Sequence, residues 1–278
     1  MLNVTASYTR GSDRFRAYTP EVFRFPGGEV QVRAEIDAEW LDLLRIRAFI
    51  RNSDDVMALL LLTDALRRQA KQTPIHLDLP YVPYARQDRV CNAGEALAAK
   101  VFCQLINAQG YASVTVQDPH SDVVPALLDR VCVVDASVAL SKIVNRQEFA
   151  GGVTLLAPDA GARKRVLDLA KKLGIASVVF ADKVRDTKTG AITSIEVQGN
   201  IPEQPVLIVD DICDGGRTFI ELAAALAKVT SQPLYLYVTH GIFSKGVEVL
   251  LKDYQTLYTT DDWTCSGNPA VVVLNLGE

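Results

Sequence analysis

The run Val206-Leu207-Ile208-Val209-Asp210-Asp211-Ile212-Cys213-Asp214-Gly215-Gly216-Arg217-Thr218 sets three acids and two glycines directly behind an apolar stretch. If a helix opens after the glycines, its first N–H groups lack backbone partners and its dipole turns a positive end outward, which suits phosphate. Asp210 and Asp211 would repel phosphate, but they suit ribose hydroxyls or a magnesium ion. Acids beside an anion-binding turn point to a sugar phosphate, with the carboxylates on the 2- and 3-hydroxyls. The backbone amides of the turn would then take the 5-phosphate. The bland alternative is a capped turn with solvated acids. Two adjacent acids at the end of a buried strand, with Asp214 and Gly-Gly behind them, weigh against it.

Other clusters invite chemistry without deciding it. Asp159, in Ala157-Pro158-Asp159-Ala160-Gly161, could ligate Mg²⁺ through oxygen, although an Asp before Gly is more often a turn or cap residue. His120, in Gln117-Asp118-Pro119-His120, is one of three histidines and follows an acid at a strand end, where it could serve as a ligand or an acid–base group. His76 falls inside an apolar strand and is given no chemistry; His240, in Thr239-His240-Gly241, reads as a supporting group. The stretch Tyr81-Val82-Pro83-Tyr84-Ala85-Arg86-Gln87-Asp88-Arg89 joins aromatics and arginines, and Arg planes stack on bases and grip phosphates. A salt-bridged surface loop would use the same residues, and chemistry alone does not choose. Lys183-Val184-Arg185 opens a polar segment, Asp186 to Thr193, with a turn at Lys188-Thr189-Gly190. That segment is either a solvated hairpin or a flap whose cations neutralise charge on a transferring phosphoryl group.

The elements that must position these groups alternate. Strands are expected at Ile75–Tyr81, Ser113–Asp118, Val153–Ala157, Ala176–Ala181, Pro205–Asp211, Leu234–Thr239 and Ala270–Leu276, rich in Val, Ile and Leu with little alternation, as in strands buried on both faces. Helices are expected at Ser53–Lys71, Gly94–Ala108, Ala162–Leu173, Gly216–Lys228 and Lys245–Leu251. Ser53-Asp54-Asp55 makes a helix start with an N-cap and acids in the first turn, and Gly110 and Gly174 stand where a terminating glycine belongs. The result is an α/β fold of mostly parallel sheets flanked by helices, run through twice, with a boundary near 140 after which a polar connection at Asn145–Glu148 leads into the second set. The domains are read as 1–140 and 141–278, with a last strand that could return to the first domain. Ligands of such sheets sit at the carboxyl ends of the strands, where every cluster above lies.

At 278 residues, with 49% hydrophobic and 22% charged residues, the chain has enough apolar surface for two cores and excludes disorder and disulfide scaffolds. A net charge of −4 argues against a nucleic-acid partner. No apolar run is of bilayer length, Met1 to Arg10 lacks the core of a signal peptide, and five scattered cysteines form no CxxC pair. A reduced cytoplasmic protein with no membrane partner is expected.

Taken in order, Phe25-Pro26-Gly27-Gly28-Glu29, Tyr84-Ala85-Arg86-Gln87-Asp88-Arg89, Asp118-Pro119-His120, Pro158-Asp159-Ala160-Gly161, Lys183-Val184-Arg185, Val209 to Thr218 and Thr239-His240-Gly241 resemble the ribose-phosphate diphosphokinase (phosphoribosyl-pyrophosphate synthetase) family across nearly the whole chain. The Tyr-Ala-Arg-Gln-Asp-Arg block is nearly diagnostic. The resemblance implies two phosphoribosyltransferase-type domains with ATP, the co-substrate, bound between them. It implies Mg²⁺-dependent transfer of the β,γ-diphosphate to the anomeric hydroxyl of a ribose phosphate, releasing AMP. It assigns Arg86, Gln87 and Asp88 to the nucleotide, with Phe25 and Glu29 of a neighbouring subunit completing the adenine pocket. His120 and Asp159 serve the magnesium-triphosphate, and Lys183 and Arg185 are catalytic flap cations. Asp210 and Asp211 take the ribose hydroxyls, and Asp214 to Thr218 the 5-phosphate. A shared site implies a homo-oligomer, a dimer or hexamer.

Two departures stand out. The family loop reads Asp-Thr-x-Gly-Thr, whereas here Gly215 loses a hydroxyl and Arg217 replaces a glycine. An arginine there could reach a second phosphate, which raises ADP-ribose as an alternative acceptor whose product would feed NAD salvage, behind ribose 5-phosphate as the family's own acceptor. Gly27 stands where the family carries Asp, which bears on adenine selectivity. Rival readings are a phosphoribosyltransferase, against which the Tyr84–Arg89 block and second domain argue, and a non-catalytic regulatory paralogue, against which His120, Asp159, Lys183 and Arg185 argue.

Overall fold

The computed structural model describes residues 1–10, 14–185 and 192–276, with the backbone alone for 183–185 and 192–194. Its internal contacts divide the chain into Met1–Val134 and Asp135–Glu278.

The first unit opens with β1 (Leu2–Tyr8), β2 (Phe15–Tyr18), a separate hairpin of β3 (Glu21–Arg24) and β4 (Val30–Arg33), and β5 (Leu41–Ala48). It continues through α1 (Ser53–Gln69), β6 (Ile75–Asp78), α2 (Ala98–Ala108), β7 (Ser113–Gln117), α3 (Val123–Leu127) and β8 (Val131–Val134). The sheet order is β2-β1-β5-β6-β7-β8, with β5 to β8 parallel and β1 antiparallel to both neighbours. Leu59, Leu62, Thr63 and Leu66 of α1, and Ala99, Phe102, Cys103 and Ile106 of α2, repeat at helical spacing and are buried. Asn52 rather than Ser53 caps α1, its side chain accepting from Asp55 N at 3.0 Å while Asp55 Oδ2 accepts from Arg51 N at 2.8 Å.

The second unit comprises α4 (Ser137–Val144), β9 (Thr154–Ala157), α5 (Arg163–Leu173), β10 (Val178–Arg185), β11 (Ile192–Gln198), β12 (Val206–Cys213), α6 (Arg217–Leu226), β13 (Leu234–Gly241), β14 (Thr256–Asp262) and β15 (Val271–Val273). The order is β11-β10-β9-β12-β13-β14-β15, parallel except for the antiparallel β11. Alternate residues feed two cores. Leu155, Leu207, Val209 and Tyr237 join α4 and α5, while Leu156, Val206, Ile208 and Val238 join α6. Strands buried on both faces are what a parallel sheet between helix layers requires.

Several expectations change. The division falls at Val134/Asp135 rather than at 140, because Ala139, Leu140 and Ile143 of α4 are buried in the second core. The last strand pairs with β14 in the second sheet and does not return to the first. Residues 245–251 form turns, not a helix, since Gly246 at φ +79 closes a turn back on Phe243. β6 and β7 alternate buried with half-buried residues, against the unalternated pattern expected of them. The antiparallel edge of β2 and β1 beside β5, and the separate β3–β4 hairpin, were not read: polar and charged residues interrupt β1 and β5, and β2, β3 and β4 are only four residues long.

Candidate active site

The second sheet reverses direction at β9. The chain leaves β9 for β10 and β11 on one side and returns as β12 on the other. Such a reversal opens a crevice at the carboxyl ends of the two strands, where open α/β sheets hold ligands. Asp159 follows β9, and Asp210 and Asp211 lie in the carboxyl half of β12, which continues through Ile212 and Cys213. Val206 to Val209 are all fully buried, so the acids emerge from the driest part of the unit. Asp211 N donates to Asp210 Oδ1 at 3.0 Å. Burial, then the charge of Asp211, hold the Asp210 carboxyl well above the ordinary carboxylate range, and Asp159 adds repulsion. Asp211 itself faces Arg165, with Nη2 3.9 Å from Oδ2. Sequence reading missed Arg165. The signal was present: Arg163, Lys164 and Arg165 crowd the first turn of α5, where the helix dipole disfavours cations, so a carboxylate partner was to be sought.

The turn after β12 is built for close approach. Gly216 precedes α6 at φ +76, and a methyl there would stand 3.2 Å from Leu250 Cδ2, so both conformation and space call for glycine. Asp214 is exposed and accepts at Oδ1 from Ser244 Oγ at 2.7 Å. Gly215 and Thr218 line the turn at intermediate exposure. Arg217 does not extend over the turn: its Nε donates to Glu221 Oε1 at 2.6 Å along α6, and its side chain is 85% exposed. Ser244 and Lys245, also missed, are brought here by the connection after β13.

Asp159 caps its own turn, Oδ1 accepting from Gly161 N at 3.0 Å and Ala162 N at 3.2 Å. Lys183 and Arg185 lie within β10, not in a loop after it, because β10 goes on pairing with β11, Lys183 opposite Ile195 and, after a register shift at Val184/Arg185, Arg185 opposite Ile192. The turn expected at Lys188–Gly190 lies outside the described residues, as do the side chains of Lys183 and Arg185. His240 is buried in β13, level with Ile212 and Asp261.

In the first unit, Phe25 and Glu29 hold the tip of the β3–β4 hairpin. Phe25 N donates to Glu29 O at 2.9 Å, and both side chains are exposed. Gly27 has no atom near its missing Cβ. Arg86, Gln87 and His120 are exposed, whereas Asp88 is mostly covered and lies 3.6 Å from Arg89 Nε. Tyr84 at φ +64 and Asp118 at φ +39 are forced into left-handed backbone just beyond β6 and β7. Non-glycine residues held so cost about 1–3 kcal/mol each and concentrate at working sites. His76 bonds Ser113 Oγ through Nδ1 at 2.8 Å and is structural.

No three His, Cys, Asp or Glu side chains among the described residues form a metal cage. Magnesium does not ask for one: it keeps waters and takes one or two carboxylates beside substrate phosphates. The mutually repelling Asp210, half-buried, and Asp211, buried, with Asp159 near, are oxygen donors that a dication would relieve, and so fit it.

The sequence model for the N-terminal domain of ribose phosphate pyrophosphokinase matches residues 14–110, and that for the phosphoribosyl transferase domain matches residues 126–267. The ribose-phosphate pyrophosphokinase of Campylobacter jejuni is 31% identical over 225 residues, covering 80% of this chain and 72% of that protein. The ribose-phosphate pyrophosphokinase of Thermococcus kodakarensis is 30% identical, covering 81% and 79%. The crystal structure of phosphoribosylpyrophosphate synthetase from Mycobacterium smegmatis shares the fold with a TM-score of 0.78 at 22% identity, covering 92% of this chain and 86% of that one. With both domains matched in order and the acids, glycines and turn set where the fold receives ligands, the chain belongs to the ribose-phosphate pyrophosphokinase family, as a diphosphokinase-type transferase on phosphoribosyltransferase-type units.

Proposed function

We propose that the chain transfers the β,γ-diphosphate of ATP to the 1-hydroxyl of ribose 5-phosphate, giving phosphoribosyl pyrophosphate and AMP. The observation that carries this reading is the Asp210–Asp211 pair at the reversal of the second sheet, followed at once by the glycine turn of α6. The two carboxylates accept from the ribose hydroxyls and fix the ring. The N–H groups of Asp214 to Thr218 hold the 5-phosphate. The 1-hydroxyl oxygen attacks the β-phosphorus in line and gives up its proton to water, the bond from that phosphorus to the bridging oxygen of the α-phosphate breaks, and AMP leaves with that oxygen. Positioning and charge neutralisation govern such a step more than a strong base.

Lys183 and Arg185 offset the charge gathering on the transferring group. Arg86, Gln87 and Asp88 hold the nucleotide, Phe25 and Glu29 of a second copy cover the adenine, and His120 attends the triphosphate. Asp159 or the Asp210–Asp211 pair would hold Mg²⁺, which would supply neutralising charge to the diphosphate. A homo-oligomer follows from sharing Phe25 and Glu29 between copies. No helix among the described residues is long and apolar enough to cross a membrane. All five cysteines are free, which supports a reducing, cytoplasmic setting. Arg217, which raised ADP-ribose as an acceptor, is engaged by Glu221, so ribose 5-phosphate is preferred.

The test is mass spectrometry of products after incubation with Mg-ATP and, separately, ribose 5-phosphate and ADP-ribose. AMP and a diphosphate added to ribose 5-phosphate are expected. Transfer to ADP-ribose alone would change the acceptor, and no diphosphorylated sugar from either would sink the reading.

A further inference from the structure

The connection after β13 is laced onto the phosphate turn. Phe243 N donates to Cys213 O and Ser244 N to Asp214 O, each at 3.1 Å, and Ser244 Oγ donates to Asp214 Oδ1 at 2.7 Å. Phe243, buried at φ +46, and Gly246, whose N donates to Phe243 O at 2.8 Å, close a tight turn around Ser244 and Lys245. Lys245 is thereby fixed beside Gly215: a methyl built on Gly215 would stand 3.7 Å from Lys245 Cγ. Lys245 is exposed, and among the described residues no carboxylate pairs with it.

The charge around the turn explains why a cation is wanted. Asp214 lies in it and Asp210 and Asp211 immediately precede it, so an arriving phosphate meets three carboxylates. The one basic side chain of the turn, Arg217, is directed along α6 to Glu221. Backbone dipoles alone would face that repulsion.

We propose that Lys245 binds the phosphate of the acceptor, its ammonium reaching past Gly215 to the turn Asp214–Thr218. Lys245 then sets how tightly the phosphorylated sugar is held. The glycine at 215 fits the same arrangement, since any side chain there would lie against the lysine stem. This inference rests on the turn being the 5-phosphate site and adds a residue to it.

The experiment compares wild type, Lys245→Ala and Lys245→Arg by initial rates against ribose 5-phosphate and ATP, and by calorimetric titration with ribose 5-phosphate. Loss of one charge-assisted contact at an exposed site should raise KM for ribose 5-phosphate about tenfold in Lys245→Ala, with KM for ATP within about twofold and Lys245→Arg near wild type. Equal acceptor affinity in wild type and Lys245→Ala overturns the proposal whatever the turnover. If no phosphoribosyl pyrophosphate forms yet wild type binds ribose 5-phosphate about tenfold tighter than Lys245→Ala, the proposed reaction fails and Lys245 stands. Absence of binding to both proteins overturns both.

Discussion

The two sheets handle their faces differently. In the second, β9, β12 and β13 are buried on both sides, and helices cover each side because the chain winds one way from β9 to β10 and the other way from β12 to β14. In the first, β5 to β8 follow one another in a single direction, and right-handed crossovers then place the helices on one face. The other face stays polar and half-covered, carrying the Arg45–Asp78 ion pair and the His76–Ser113 bond. A sheet that reverses has a crevice at its reversal; a sheet that does not must offer its residues on loops. Accordingly, Asp211 of the second unit is buried and Asp210 half-buried at the end of a dry strand, while Arg86, Gln87 and His120 of the first lie at the surface. Substitution in the second site should therefore change chemistry and stability together, and substitution in the first should change binding alone.

The largest effect is expected at Lys183 of β10. Replacing Lys183 with Ala should lower kcat about 10³-fold if its charge is used in the transition state, with KM for ribose 5-phosphate little changed. A near-normal rate in single-turnover measurements would remove Lys183 from the mechanism.

Next is Asp210→Asn, which tests the coupling of chemistry to stability in the second unit. The folded-state pKa of Asp210 is raised, so between its unfolded value and that raised value the native state binds more protons than the unfolded state. Stability then falls as pH rises through that window, and above it the ionised carboxylate carries its full penalty. Removing the charge should raise the melting temperature of the ligand-free protein at pH 7 by about 2–4 °C, as a gain of about 1 kcal/mol would in a domain of this size. The gain should vanish below the ordinary carboxylate range, where the native Asp210 is protonated. Turnover should fall about 10²-fold in the same protein. A variant that loses activity without gaining stability would show that Asp210 is not strained by its surroundings.

What could be read in the sequence follows the same division. β12 was legible because Val206 to Val209 form an unbroken apolar run and two acids end it. Gly216 was legible because a turn into a helix needs its backbone. β14 was not read at all: in Thr256-Leu257-Tyr258-Thr259-Thr260-Asp261-Asp262 five of the seven residues are Thr or Asp, and its Thr259 hydroxyl is buried by bonding Thr239 O, a contact made only after folding. The partnership of Arg165 with Asp211, and of Ser244 with Asp214, joins residues 46 and 30 positions apart, which local spacing does not reveal. Arg217 was legible as an unusual cation in a phosphate turn, and Glu221, one helical turn later, is the partner that its i,i+4 spacing offers on the exposed face of α6.

In the first unit, Arg86→Ala should raise KM for ATP about tenfold, as expected for one charged contact to a phosphate. Arg86 is exposed, so the melting temperature should stay within about 1 °C of wild type, as for surface substitutions generally. A large loss of stability in Arg86→Ala would break the contrast between the units, because it would place a surface residue of the first among the groups that hold its fold.

The smallest effect concerns the cysteines, and it reads the dryness of β12 directly. Alkylation requires the thiolate. Burial pushes the thiol of Cys213 up to about 12, with the charges of Asp210 and Asp214 adding to it, and burial alone takes Cys103 to about 11. Cys91, Cys132 and Cys265 are exposed. Iodoacetamide at pH 8 should therefore add to those three and spare Cys103 and Cys213 until the protein is unfolded, as intact-mass spectra would show. Cys91 and Cys132 belong to the first unit and Cys265 lies beyond β14, away from the turn after β12 in sequence, so KM for ribose 5-phosphate should stay within about twofold after labelling. Native labelling of Cys213 would mean that the end of β12 opens to water. The raised pKa of Asp210 depends on that end being closed, so the same result would cancel the stability gain expected of Asp210→Asn.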